Sequence, residues 1–166
     1  MTSDQTVGQH ALKDPLYDTA NHMLSNCPTF QLRRVSRLVT LIFDQSLSPT
    51  GLRSTQVITM IGIITQQGAN LTQLSKYLDV DDATLSRGLG TLQKAGLVRE
   101  IDLGNRNKTY QLTPQGQRAV HAAAPHWEKA LKRFQEQLAP TDWHDVVNRL
   151  QTVGAALKAD RVKTNA

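Results

Sequence analysis

Between Asp81 and Gly116 the chain reads DDATLSRGLGTLQKAGLVREIDLGNRNKTYQLTPQG. Its first part has helical spacing, and at 100° per residue Leu85, Leu89 and Leu92 fall together on one side. Ala83, Thr84, Arg87, Gly90, Thr91 and Lys94 fall on the other, and no carboxylate stands among them. Small side chains let a helix press into a major groove, where Arg can pair with guanine O6 and N7. A plain solvated face is the competing reading for this helix alone, although solvated faces usually mix charge signs. Asp81 and Asp82 stand at the start of the helix, where they compensate its dipole. Gly88 and Gly90 each cost a helix about 1 kcal/mol against alanine. A slim helix, able to approach DNA or a neighbouring helix, would offset that cost. Gly88 lies nearer the leucine side, so close helix packing is its expected role.

The surrounding elements must hold this face outward. A short helix over LTQLSKYL buries Leu71, Leu74 and Leu78, and DVD turns the chain into the helix that Asp81 or Asp82 caps and Gly96 ends. LVREID and KTYQLT then read as two strands of a hairpin around LGNRN. Two helices joined by a tight turn, followed by a hairpin with Arg106 and Lys108 at its tip, make a winged helix-turn-helix. Such a tip can enter a minor groove, whose negative potential attracts Arg.

Upstream, residues 1–14 are polar, and a short helix is expected over LYDTANHML. Pro28 starts an amphipathic helix over 28–48, with Val35, Leu38, Val39 and Ile42 on one stripe. Ser54 is expected to cap the next helix, with Val57, Met60, Ile61 and Ile64 facing inward. Downstream, Thr113 and Pro114 open a long helix that Pro125 should kink, and Thr141 should cap a last helix. Trp143, Val146, Val147, Leu150, Val153 and Leu157 form an apolar stripe on that last helix. The fold class is therefore mainly α with a small β-hairpin wing.

Composition narrows the function classes. Nineteen Lys and Arg against fourteen acids give +5, compatible with nucleic acid without establishing it. Residues 71–118 carry only +2, so binding must depend on where the cations sit. The apolar run Val57–Ile64, interrupted by Thr59 and Gly62, is too short to span a bilayer, and no signal pattern opens the chain. One cysteine excludes an internal disulfide, and a cytoplasmic setting is expected. His121 and His126 are five apart, which is wrong for a helical metal pair. No catalytic, cofactor or metal site is expected; SRGLG is glycine-containing but lies inside a helix.

The stretch LTQLSKYLDVDDATLSRGLGTLQKAGLVREIDLGNRNKTYQLTPQG resembles the DNA-binding lobe of the MarR family of winged helix-turn-helix transcriptional regulators. TLSR in the recognition helix, GLV leading into the wing, the wing-tip Arg and LTPQG opening the long helix carry the likeness, supported by GLRSTQ and PHW. The wing tip departs from the family in having Asn105-Arg106 for Asp-Arg, and the helix-turn-helix turn carries Asp79 where Gly is usual.

The resemblance implies an N-terminal arm (1–27), a first dimerisation helix (28–53), a winged helix-turn-helix lobe (54–113) and a long helix with a C-terminal dimerisation helix (114–166). It implies a homodimer on a pseudo-palindromic operator, with double-stranded DNA contacted by Ala83, Thr84, Ser86, Arg87, Thr91, Lys94, Arg106 and Lys108. The expected function is a sequence-specific regulator, a repressor released by a small aromatic carboxylate. Arg34 or Arg37 would receive that effector; phosphate contacts and intersubunit pairs with acids such as Asp44 are the plainer roles. Cys27 matches the sensing cysteine of the peroxide-responsive branch only in being N-terminal, and a capping or packing thiol is the simpler role. The alternative to an operator-binding protein is a winged helix used as a protein-interaction module without a specific DNA site.

Overall fold

The computed structural model describes residues 15–104, 108–138 and 140–164, with side chains described up to residue 160. The chain divides into two units, Met1–Leu41 and Ile42–Ala166. The first contains α1 (Pro15–Ser25) and the start of α2 (Pro28–Leu47), each opened by a proline whose missing N–H costs a helix start nothing. The Cys27 carbonyl accepts from the Gln31 N–H at 3.1 Å, so this residue closes the first turn of α2 while its side chain is half-buried.

In the second unit the end of α2 and a 3-10 turn (Ser48–Thr50) lead to α3 (Ser54–Thr65). Arg53, not Ser54, is the N-cap of α3. Ser54 is instead its first helical residue, and both its N–H (2.7 Å) and its hydroxyl (2.8 Å) donate to Asp44 Oδ1. Arg53 pairs with the other oxygen of Asp44 at 3.3 Å. Burial raises the Asp44 pKa, but the Ser54 and Arg53 hydrogen bonds outweigh it and hold the carboxyl below its ordinary range. Asp44 is thus engaged within its own chain.

The inward face of α3 is Val57, Met60 and Ile63, all buried, whereas Ile61 and Ile64 are exposed. The expected Ile61 and Ile64 are therefore left out of the core, and Ile63, between them in sequence, enters it. Next come α4 (Leu71–Leu78) and α5 (Asp82–Lys94), then β1 (Val98–Asp102) paired antiparallel with β2 (Lys108–Leu112), Val98 opposite Leu112. The four core-directed elements meet at Leu74, Leu85, Leu89, Leu92, Val98 and Leu112.

Two long helices complete the unit, α6 (Pro114–Leu138), which continues through Pro125, and α7 (Trp143–Thr164). The start of α6 explains the LTPQG run. The Thr113 hydroxyl donates to the Gly96 carbonyl at 2.6 Å and accepts from the Gly116 N–H at 3.0 Å. Gly116 lies so close to the Leu97 backbone that a Cβ would overlap the Leu97 carbonyl oxygen. Trp127, of the PHW run, packs on Phe43 with ring centroids 4.5 Å apart. The first turn of α7 is met by Asp142 rather than Thr141: its carboxylate accepts from the His144 N–H at 2.9 Å. Leu150, Val153 and Leu157 on α7 remain exposed.

Candidate nucleic-acid interface

The recognition helix α5 is fixed at its N-terminus by two adjacent aspartates with separate tasks. Asp81 is the N-cap, and its carboxylate accepts from the Thr84 N–H at 2.8 Å. Hydrogen bonds from the Thr84 side chain and backbone lower the Asp81 pKa, with a smaller share from the Arg87 charge. Asp82, the first helical residue, reaches across to α4: one oxygen accepts from the buried Ser75 hydroxyl and the other from the Thr72 hydroxyl at 3.1 Å. These charge-assisted bonds tie the two helices of the helix-turn-helix and set how α5 projects. The sequence offered Asp82 a dipole or capping role and not this tie; a carboxylate at the first helical position, seven and ten residues after two hydroxyls, was the signal available.

The turn between those helices has Asp79 in the left-handed region, φ 56° and ψ 42°. Asp tolerates this conformation better than most residues, which is how it stands where the family has glycine. Its carboxylate pairs with Lys158 Nζ of α7 at 2.6 Å.

Leu85, Leu89 and Leu92 are buried, and Ala83, Thr84, Ser86, Arg87, Thr91 and Lys94 are all exposed on α5. The structure therefore brings these six expected contacts onto one solvent-facing element. Arg87 Nη2 donates to Thr84 Oγ1 at 3.0 Å, and the Thr91 hydroxyl donates to the Arg87 carbonyl at 3.1 Å. The guanidinium is thus held beside Thr84 on the outer face. A Cβ on Gly88 or on Gly90 would meet nothing within 4 Å. The expected packing role of Gly88 fails, because no neighbouring helix approaches it.

The wing presents its charges differently from expectation. Lys108 is exposed but pairs with Glu100 Oε1 at 2.8 Å, diagonally across the hairpin, and that bond and charge raise its pKa. Its charge is partly compensated before any phosphate approaches. Arg99, which sequence reading did not select, is an exposed strand cation whose Nη2 donates to Gln111 Oε1 at 3.0 Å. Arg106 lies outside the described residues. On α2, Arg34 and Arg37 share an open, solvent-facing hollow with Phe30 and Leu38, so they are accessible but not enclosed.

Among the described residues, no group of three or more His, Cys, Asp or Glu side chains could hold a metal ion, and no helix is long and apolar enough to cross a membrane. No protein-family model matches the chain, and no curated protein matches it in sequence. Solved structures do. The Mycobacterium tuberculosis transcriptional regulator MosR in complex with DNA is 29% identical, with TM-score 0.74, covering 81% of this chain and 98% of its own. CouR from Rhodococcus jostii RHA1, bound to p-coumaroyl-CoA, is 26% identical with TM-score 0.63, covering 81% and 93%. A transcriptional regulator of the MarR family from Rhodococcus sp. RHA1 is 25% identical with TM-score 0.62, covering 81% and 95%. A helix-turn-helix with the TLSR face turned outward, a two-stranded wing and an LTPQG junction closed on Leu97 complete the likeness: the chain is similar to solved winged helix-turn-helix transcriptional regulators of the MarR family.

Proposed function

We propose that this protein is a sequence-specific, double-stranded-DNA-binding transcriptional regulator that places α5 in the major groove. The observation that carries the reading is the outer face of α5, where Arg87 is held beside Thr84 among exposed small, hydroxyl and cationic side chains. MosR, similar over four-fifths of this chain, was crystallised with DNA, which supports the same partner here. Arg87 reads a base edge, Thr84, Ser86, Thr91 and Lys94 fix the helix on the backbone, and Ala83 permits close approach. Arg106 and Lys108 add sequence-independent affinity from the wing.

The active species in this reading is a homodimer closed by the terminal helices. Exposed Leu150, Val153 and Leu157 on α7, and exposed Val35 and Leu38 on α2, are faces that a second copy would cover. Its two recognition helices would meet half-sites about 34–36 Å apart. The reading extends to repression relieved by a small aromatic carboxylate received by Arg34 or Arg37; the p-coumaroyl-CoA bound to CouR supports ligand control in this fold.

Selection from random duplexes, followed by fluorescence anisotropy, tests the core of the reading. A palindromic motif should emerge, and binding to it should weaken steeply with salt as counterions are released. Arg87→Ala should cost about 1–3 kcal/mol and relax preference at one position per half-site. Failure to enrich any motif, with a salt slope near zero, would favour the protein-interaction module instead.

A further inference from the structure

A second concavity lies within the second unit. The end of α3, the turn after it, β2 and the first turn of α6 line an open cavity of about 280 Å³. It is lined by the apolar Ile63, Ile64 and Leu112 and by Gln67, Gln111 and Gln117 beside Tyr110. Ligand pockets usually run from about 300 to 1,000 Å³, so this volume suits a molecule of one ring. Among the described residues that line it, none carries a formal charge. An anion entering would leave water without gaining a countercharge, whereas a neutral polar molecule can exchange its water hydrogen bonds for amide ones. Each glutamine amide offers a donor and an acceptor in one plane, the complement of a cis-amide edge. Burial raises the Tyr110 pKa, with a further push from Glu100, so the phenol keeps its proton at neutral pH.

One lining residue also belongs to the wing. Gln111 Oε1 accepts from Arg99 Nη2 at 3.0 Å, and Arg99 is an exposed cation on β1. A ligand that takes this acceptor competes directly with Arg99 for it.

We propose that this cavity is a receptor for an uncharged one-ring lactam or cyclic amide, read out through the Gln111–Arg99 hydrogen bond. This site differs in its lining residues and in ligand charge from the carboxylate receptor suggested for Arg34 and Arg37. Its effect on DNA rests on the reading given above; ligand binding itself does not.

The test uses the whole protein without DNA, titrated with 2-pyridone and followed by the side-chain amide and guanidinium signals in ¹H–¹⁵N NMR spectra. Saturable shifts of the Gln67, Gln111 and Gln117 amides are expected, together with a shift of the Arg99 Nε–H signal. Benzoate, a ring of similar size bearing a charge, should leave them in place at the same concentration. N-methyl-2-pyridone, which lacks the N–H donor, should bind about tenfold more weakly, as should Gln67→Leu and Gln117→Leu proteins. Both substitutions are at exposed positions, so folding is retained. Equal responses to 2-pyridone and benzoate, no saturable shift, or parental affinity in both leucine variants would overturn the site. Glutamine shifts with an unmoved Arg99 signal would overturn its connection to the wing. Because no DNA is present, these outcomes are independent of whether an operator is bound.

Discussion

Replacing Gly88 and Gly90 by alanine, one at a time, separates folding from DNA contact within a single helix. Both glycines lie inside α5, and an added Cβ meets nothing within 4 Å at either position. Neither substitution carries a packing penalty, so each should recover the helix-propensity difference of about 1 kcal/mol. For a domain of this size that corresponds to a rise in Tm of roughly 4 °C. The two positions differ by 200° around the helix, and only Gly90 lies among Ala83, Arg87 and Thr91 on the outer face. If the groove wall comes within van der Waals reach there, a new methyl costs operator binding about 1–3 kcal/mol. Affinity for the selected operator should then fall about 5- to 150-fold for Gly90→Ala and stay near parental for Gly88→Ala. Thermal unfolding and fluorescence anisotropy on the same preparations give both numbers. A stability loss in either variant would refute the open surroundings of α5. Parental operator affinity in a stabilised Gly90→Ala protein would refute close approach as the reason for the glycine.

Three further outcomes follow from the same geometry. Gly116→Ala should destabilise by about 1–3 kcal/mol or more, because its Cβ would overlap the Leu97 carbonyl oxygen; parental stability in urea would contradict that approach. Asp82→Ala and Ser75→Ala should lower operator affinity while leaving non-specific duplex affinity unchanged, since α5 loses its tie to α4; an equal loss on both DNAs argues against positioning. Asp44 has a depressed folded pKa, so its contribution is present above the unfolded value near 3.8 and is lost as pH falls through the folded value. The stability gap between the parent and Asp44→Asn should therefore close on acidification below about pH 4, and a gap that persists unchanged at pH 2 would contradict the linkage.

Periodicity alone determined most of the frame. Leu85, Leu89 and Leu92 had to share a face because their spacing matches the helical turn, and the structure buries all three. The outward position of Thr84, Arg87, Thr91 and Lys94 follows from the same arithmetic, as do the bounds of α4 and the order of the wing strands. The resemblance read from TLSR and LTPQG also came from sequence, since those runs mark a helix face and a junction with local rules.

Tertiary structure decided what depends on partners far along the chain. Ile63 rather than Ile64 enters the core because neighbours on a helix differ by only 100°, and the surrounding elements choose between them. Ser54 became a partner of Asp44, ten residues earlier, instead of a cap, and Lys108 became a partner of Glu100 across the hairpin. Gly88 and Gly116 look alike as letters, yet one faces open space and the other the Leu97 backbone. Local spacing fixes which way a residue points, whereas only the packing of separate elements fixes what it meets there.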